Sequence, residues 1–450
     1  MKPRAVLSTA LMLTASAGSL AAPPLTLTPM EQLGELLFND NQLSNNNNQS
    51  CATCHAPRVG WTGPKPIINR GGTVYEGSIH GRFGNRKPPS AAYATTSPIL
   101  ELMDSGTGFF VGGNFWDGRA TGEKLGNPAA DQAQGPFLNP LEQALPDAAC
   151  VVYQACTAGR YQGLFEQVWG ADACDIAWPR KQEMKRLCSS TDVAVPLSEA
   201  DRTKANIAYD EVALSIAAYE GSPLVNQFSS KYDAYVAGQA QLTAQEAEGL
   251  ALFQGRGNCA ACHTLDPGSE GEPALLTDYT YDNLGMPKNP ENPFYTQTDF
   301  NTDGYDWVDE GLGGFLATRE DYADYADANL GKHKVPTLRN VDLRPGQGFL
   351  KPYSHNGWFK SLKSIVHFYN TRDVLPVCPP RPDALPVNSY TEAEARALNC
   401  WPEPEVAANV NTAEVGNLGL TDEEEDAIVA FLTTLSDGYV PQRGKGPGNP

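Results

Sequence analysis

After residue 21 the chain has no stretch of the ~20 apolar residues that a membrane-spanning helix needs, and nowhere a clustered run of Lys and Arg. The second absence is reinforced by the balance of 33 basic against 53 acidic residues, a net charge of -20. Nucleic acid and anionic membrane surfaces are therefore poor partners, whereas a basic protein partner is allowed. Most of the acidity reads as solvated surface. The N-terminus differs: Lys2 and Arg4 precede an apolar run, broken by Ser and Thr, from Ala5 to Ala21, and "SLAAPP" suits small-residue cleavage. Residues 1–21 read as a secretory signal, so the mature chain is expected to be periplasmic or otherwise exported, soluble and without a membrane span. A length of 450 residues fits two domains, each with its own core.

Ten cysteines are present, and four lie in "CATCH" (Cys51, Cys54, His55) and "CAACH" (Cys259, Cys262, His263). Two thiols about one helical turn apart reach the two vinyl groups of a haem, and the adjacent imidazole comes up beneath the iron as its proximal ligand. One CxxCH also suits a zinc half-site or a redox dithiol, but two copies behind an export segment point to two covalent haems c. The other six, Cys150, Cys156, Cys174, Cys188, Cys378 and Cys400, fall as three sequence-local pairs. Disulfides are expected outside the cytoplasm, and pairing of 150 with 156, 174 with 188 and 378 with 400 is the simplest connectivity.

An internal repeat places both motifs. "TPMEQLGELLF" (Thr28 to Phe38) precedes the first and "TAQEAEGLALF" (Thr243 to Phe253) the second, with Thr, Glu, Gly, Leu and Phe in register. Each opens as a capping box, with Pro29 suited to a first helical position. A third start at Thr421 marks a closing amphipathic helix, acidic at its positive end. "ANIAYDEVALSIAAYEGSPL" (Ala205 to Leu224) reads as a helix before the second domain, and plentiful Gly and Pro predict long connecting loops. The fold class expected is mainly α: a signal over 1–21, cytochrome c-like haem domains over 22–235 and 236–450, and a final helix free to pack back on the first.

The order of CxxCH, "FWDGRA" (Phe115 to Ala120), "QAQGPFLNPLE" (Gln132 to Glu142), "IAAYE" (Ile216 to Glu220), a second CxxCH, "VPTLRN" (Val335 to Asn340) and "PYSHNG" (Pro352 to Gly357) resembles the bacterial dihaem cytochrome c peroxidase and MauG superfamily. The likeness spans nearly the whole mature chain. It implies an N-terminal haem that meets hydrogen peroxide and a C-terminal haem that relays electrons. It puts Gln132 and Glu142 in the distal pocket of the first haem, Trp116 between the haems, and Tyr369 where peroxidases carry Met and MauG-like enzymes Tyr. It also implies calcium between the domains, held by backbone carbonyls matching Leu350 and Pro352 and by an asparagine; Lys87 stands in that asparagine's place, with Asn85 nearby. His80 lies close to the region of a distal histidine found in the peroxidases, one residue out of register when Arg86 and Pro89 are aligned. His333 and His355 are expected to bond propionates or backbone.

Helical geometry gives a separate argument for Tyr369. Leu362, Ile365, Val366 and Tyr369 stand at i, i+3, i+4 and i+7 on one apolar face, whereas His367 lies about 200° from Tyr369 and cannot face the same iron. A phenolate is hard and anionic and favours Fe(III) and higher states, where a thioether favours Fe(II). His55 on one haem, with His263 and Tyr369 on the other, then suits an enzyme that uses peroxide to build a high-valent dihaem state and oxidises Trp or Tyr of a protein substrate. The alternatives are a respiratory peroxidase fed by a small cytochrome and, from another class, a plain electron carrier.

Overall fold

The computed structural model describes residues 26–441 except Glu270; the signal segment lies outside them. The first half is built on α1 (Pro29–Phe38), α2 (Pro128–Leu138), α3 (Ala148–Thr157) and α4 (Glu199–Glu220). The second rests on α5 (Ala244–Gln254), α6 (Leu362–Thr371) and α7 (Asp422–Thr433). Strands are few among the described residues: β1 (Glu101–Asp104) pairs antiparallel with β2 (Phe109–Val111), β3 (Tyr281–Asp282) with β4 (His333–Lys334), and no sheet closes. Long loops and single helical turns connect the helices.

The repeat read in the sequence is a repeat in space. Thr28 and Glu31, Thr243 and Glu246, and Thr421 and Glu424 each form a reciprocal capping box. Gly34 on α1 lies so close to α4 that an added Cβ would sit 1.9 Å from the Ser215 carbonyl oxygen, and Gly249 on α5 would meet Ala427 of α7 at the same distance. Only a residue without a side chain permits either crossing. Leu37 and Phe38 of α1 and Phe253 of α5 are buried beneath these crossings in two separate apolar clusters. The closing helix α7 belongs to the second cluster, and Asp437 just beyond it accepts from the Tyr93 hydroxyl at 2.7 Å.

The disulfides correct two of the three expected pairs. Cys150 bonds Cys188, Cys156 bonds Cys174, and only Cys378–Cys400 pairs as expected. Cys150 and Cys156 both lie on α3, where six residues of helical rise separate Cα atoms by about 9 Å. A disulfide tolerates at most about 7 Å; the observed Cα separations are 5.6 and 5.4 Å. The two bonds therefore fasten α3 to the segment that follows it. Replacing Cys150 and Cys188 together by Ala is expected to cost about 3 kcal/mol, read as a lower urea midpoint with both haems still attached.

Candidate active site

The helix Cys51–Cys54 follows α1 and ends at His55; the single turn Cys259–Ala261 follows α5 and leads to Cys262 and His263. Cys51, Cys54 and His55 line one cavity, and Cys259, Cys262 and His263 a second. These four cysteines are the ones outside disulfides. Burial pushes the thiols of Cys54, Cys259 and Cys262 up to about 12, so none is poised as a thiolate at neutral pH.

Both imidazoles are held in the same way. His55 Nδ1 lies 3.2 Å from the Trp61 carbonyl oxygen and His263 Nδ1 2.9 Å from that of Leu276. Donation from Nδ1 leaves the Nε2 lone pair for an axial metal bond. Trp61 (φ 59°) and Leu276 (φ 58°) both adopt left-handed backbone, a costly conformation for bulky residues, at the turns that aim these carbonyls. Burial lowers both imidazole pKa values, that of His55 to about 4, which keeps the neutral, ligating form. Paired thiols, an oriented neutral histidine and an adjoining cavity fit haem c at each site.

Gln132, Glu142 and Trp116 line the first cavity. Gln132 belongs to α2 and Glu142 to the turn after it, where Asn139 Nδ2 donates to Glu142 Oε1 at 2.8 Å. Burial raises the Glu142 pKa, against the pull of Arg119 and the Asn139 hydrogen bond. Glu220, at the end of α4, also lines this cavity, and burial pushes it up to about 8. Sequence reasoning gave Glu220 no role; only its burial marks it. His55 is the one histidine among the lining residues. His80 lines neither cavity: its side chain is 97% exposed and pairs with Glu76 at 2.6 Å.

Leu362, Ile365, Val366 and Tyr369 of α6 all line the second cavity. His367 instead bonds Glu425 through Nδ1 at 2.9 Å and lines neither cavity. Burial raises the Tyr369 pKa above its ordinary value, so a phenolate there needs a neighbouring positive charge. Asp309, His333 and His355 also border this space. The two histidine rings stack at 3.6 Å, and His333 Nε2 lies 3.3 Å from Asp309. His333 Nδ1 meets the Gly331 carbonyl at 3.1 Å.

Lys87, Trp116 and Lys334 line both cavities and form the seam between them. Of the groups expected to hold calcium, Asn85 borders the first cavity, Pro352 the second, and the Leu350 carbonyl accepts from Asn69 Nδ2 at 3.2 Å. Lys334 and Asp309 were missed by sequence reasoning, because nothing in a sequence marks a charged side chain as buried.

Comparison with known proteins agrees with this architecture. The family described as di-haem cytochrome c peroxidase matches residues 28–241. The methylamine utilization protein MauG of Paracoccus denitrificans is 34% identical over 406 residues, covering 90% of this chain and 88% of that protein. A cytochrome c peroxidase of Denitromonas iodatirespirans is 27% identical, covering 82% of this chain and 80% of its own. Among solved structures, the diheme peroxidase BthA from Burkholderia thailandensis superposes with a TM-score of 0.65 at 27% identity, covering 95% of this chain and 89% of that one.

Proposed function

Because the chain belongs to the di-haem cytochrome c peroxidase and MauG family, and is thus a haem-dependent oxidoreductase that uses peroxide, we propose that it is of the MauG-like kind: an exported enzyme that withdraws electrons from Trp or Tyr of a protein substrate. Its haem domains are residues 22–235, which take peroxide, and 236–450. When bound, the two haems c supply peroxide reduction and storage of the oxidising equivalents. Cys51, Cys54 and His55 would hold the first, and Cys259, Cys262, His263 and Tyr369 the second.

The Glu142 carboxylate takes the proton from the inner oxygen of peroxide and returns one to the leaving oxygen, while the Gln132 amide orients it. Trp116 fills the seam between the haems with a polarisable ring. The observation that carries the MauG-like reading is the Tyr369 side chain on the wall of the cavity that His263 also lines. A hard phenolate there favours oxidised iron. The first cavity has no second histidine among its described lining residues, which supports a first haem that would take peroxide without prior reduction.

The test is addition of hydrogen peroxide to the diferric holoenzyme with visible and near-infrared recording. An oxidised species that accumulates without prior reduction is expected. A requirement for half-reduction and a cytochrome donor would replace this reading by respiratory peroxide removal, and an unchanged spectrum would leave an electron carrier. Tyr369→Met is expected to raise the potential of the second haem and impose that requirement, both measurable by spectroelectrochemical titration.

A further inference from the structure

The seam carries its own positive charge. Lys87 is 8% exposed, and its ammonium lies 3.1 Å from the Pro88 carbonyl and 3.4 Å from the Thr62 hydroxyl. It stands 5.7 Å from the centre of the Trp116 ring, whose Nε1 donates to the Lys87 carbonyl at 2.9 Å. The Lys87 amide in turn donates to the His355 carbonyl at 2.8 Å. One residue thus binds the Trp116 loop of the first half to the His355 loop of the second.

A second buried ammonium approaches from the other side. Lys351 Nζ donates to the carbonyls of Asn340 (2.6 Å) and Leu343 (3.2 Å). Gly60, with φ +73°, makes room for it: a Cβ there would fall 2.8 Å from that nitrogen. Among the described residues none of Lys87, Lys334 and Lys351 forms an ion pair. Buried lysines without an ion pair, Lys87 and Lys351, are costly to desolvate, and in a chain of net charge -20 they stand with Lys334 along one seam.

Calcium does not fit here. It takes six to eight oxygen ligands and favours carboxylates. Around this seam the Leu350 carbonyl is taken by Asn69, the Pro88 carbonyl by Thr62 and Lys87, and the Asn340 carbonyl by Lys351. The Lys87 and Lys351 side chains that face this space are donors to carbonyl oxygens and offer a metal no oxygen of their own. We propose that Lys87 is the fixed cation of the seam, holding the Trp116 and His355 loops together where a divalent metal would otherwise be needed, and that this protein works without calcium. The proposal goes beyond the MauG-like reading and is independent of which molecule supplies electrons.

The holoenzyme purified in calcium-containing buffer, with and without later EGTA treatment, supplies the test by metal analysis, EPR and potentiometry. Expected are the absence of stoichiometric calcium and spectra and haem potentials unmoved by EGTA. Lys87→Met keeps the length and removes the charge; both haem potentials are expected to shift to more negative values, because a nearby positive charge favours the reduced form. Stoichiometric calcium whose removal alters the spectra overturns the proposal. So do wild-type potentials in the Lys87→Met holoenzyme. Should that variant fail to fold, the metal content and EGTA response of the wild-type protein decide alone.

Discussion

Glu142→Gln is expected to slow the stopped-flow reaction of the holoenzyme with hydrogen peroxide by about 10²- to 10⁴-fold, the usual weight of a positioned general acid–base. That corresponds to about 3–5 kcal/mol of barrier. The substitution isolates proton transfer well. Glutamine keeps the volume and an oxygen to accept from Asn139 Nδ2, which holds Oε1 at 2.8 Å in the native protein, but it cannot take up a proton. A second signature separates chemistry from packing. Burial raises the Glu142 pKa, and the group must be ionised to deprotonate peroxide. The rate should therefore rise with pH through a value above the ordinary glutamate range, and this limb should vanish in the variant. A native rate in Glu142→Gln removes the residue from the mechanism.

What was legible in the sequence is what local geometry dictates. Haem attachment requires two thiols and a histidine at fixed spacing, so Cys51, Cys54 and His55 and their second copy stand out without a fold. Capping boxes are equally local, and all three form. The face of α6 was readable because its period alone places Leu362, Ile365, Val366 and Tyr369 together. The shared glycine of the repeat was visible too, although its purpose, a close helix crossing at Gly34 and Gly249, appears only in space. Connectivity of the cysteines was not legible: sequence proximity favoured 150 with 156, whereas α3 holds those two Cα atoms too far apart and presents each to the segment ending at Cys188. Buried charge was invisible for a related reason. Glu220, Asp309 and Lys351 are chemically ordinary in a string of letters, and only tertiary packing removes them from water.

Asp309→Ala is expected to destabilise the protein by about 3–5 kcal/mol, the cost of leaving a buried partner charge uncompensated. Asp309 is 3% exposed and receives a two-pronged contact from Arg86, Nε to Oδ2 and Nη2 to Oδ1, both at 2.6 Å. The third guanidinium nitrogen reaches Asp117 at 2.5 Å, and Asp117 also receives Arg119 at 2.7 Å. The network joins residue 86 of the first half to residue 309 of the second, one position before Lys87. Its loss should therefore lower the urea midpoint and loosen the seam together. Asp309→Asn, which keeps an acceptor oxygen, should cost less. Arg86→Met combined with Asp309→Leu should recover part of the loss, since an apolar pair leaves no charge stranded. The pH dependence has a definite sign. Both carboxylates have pKa values held below the ordinary range in the folded state, by Arg86 above all among the favourable partners. Their stabilisation is complete above the unfolded value near 4 and is lost as pH falls through the lower folded values, where the unfolded chain binds more protons. The Asp309→Ala variant should start less stable and lose less on acidification, so its stability difference from the native protein should narrow at low pH. A difference that stays constant with pH would show that the ion pair is not what joins the two halves.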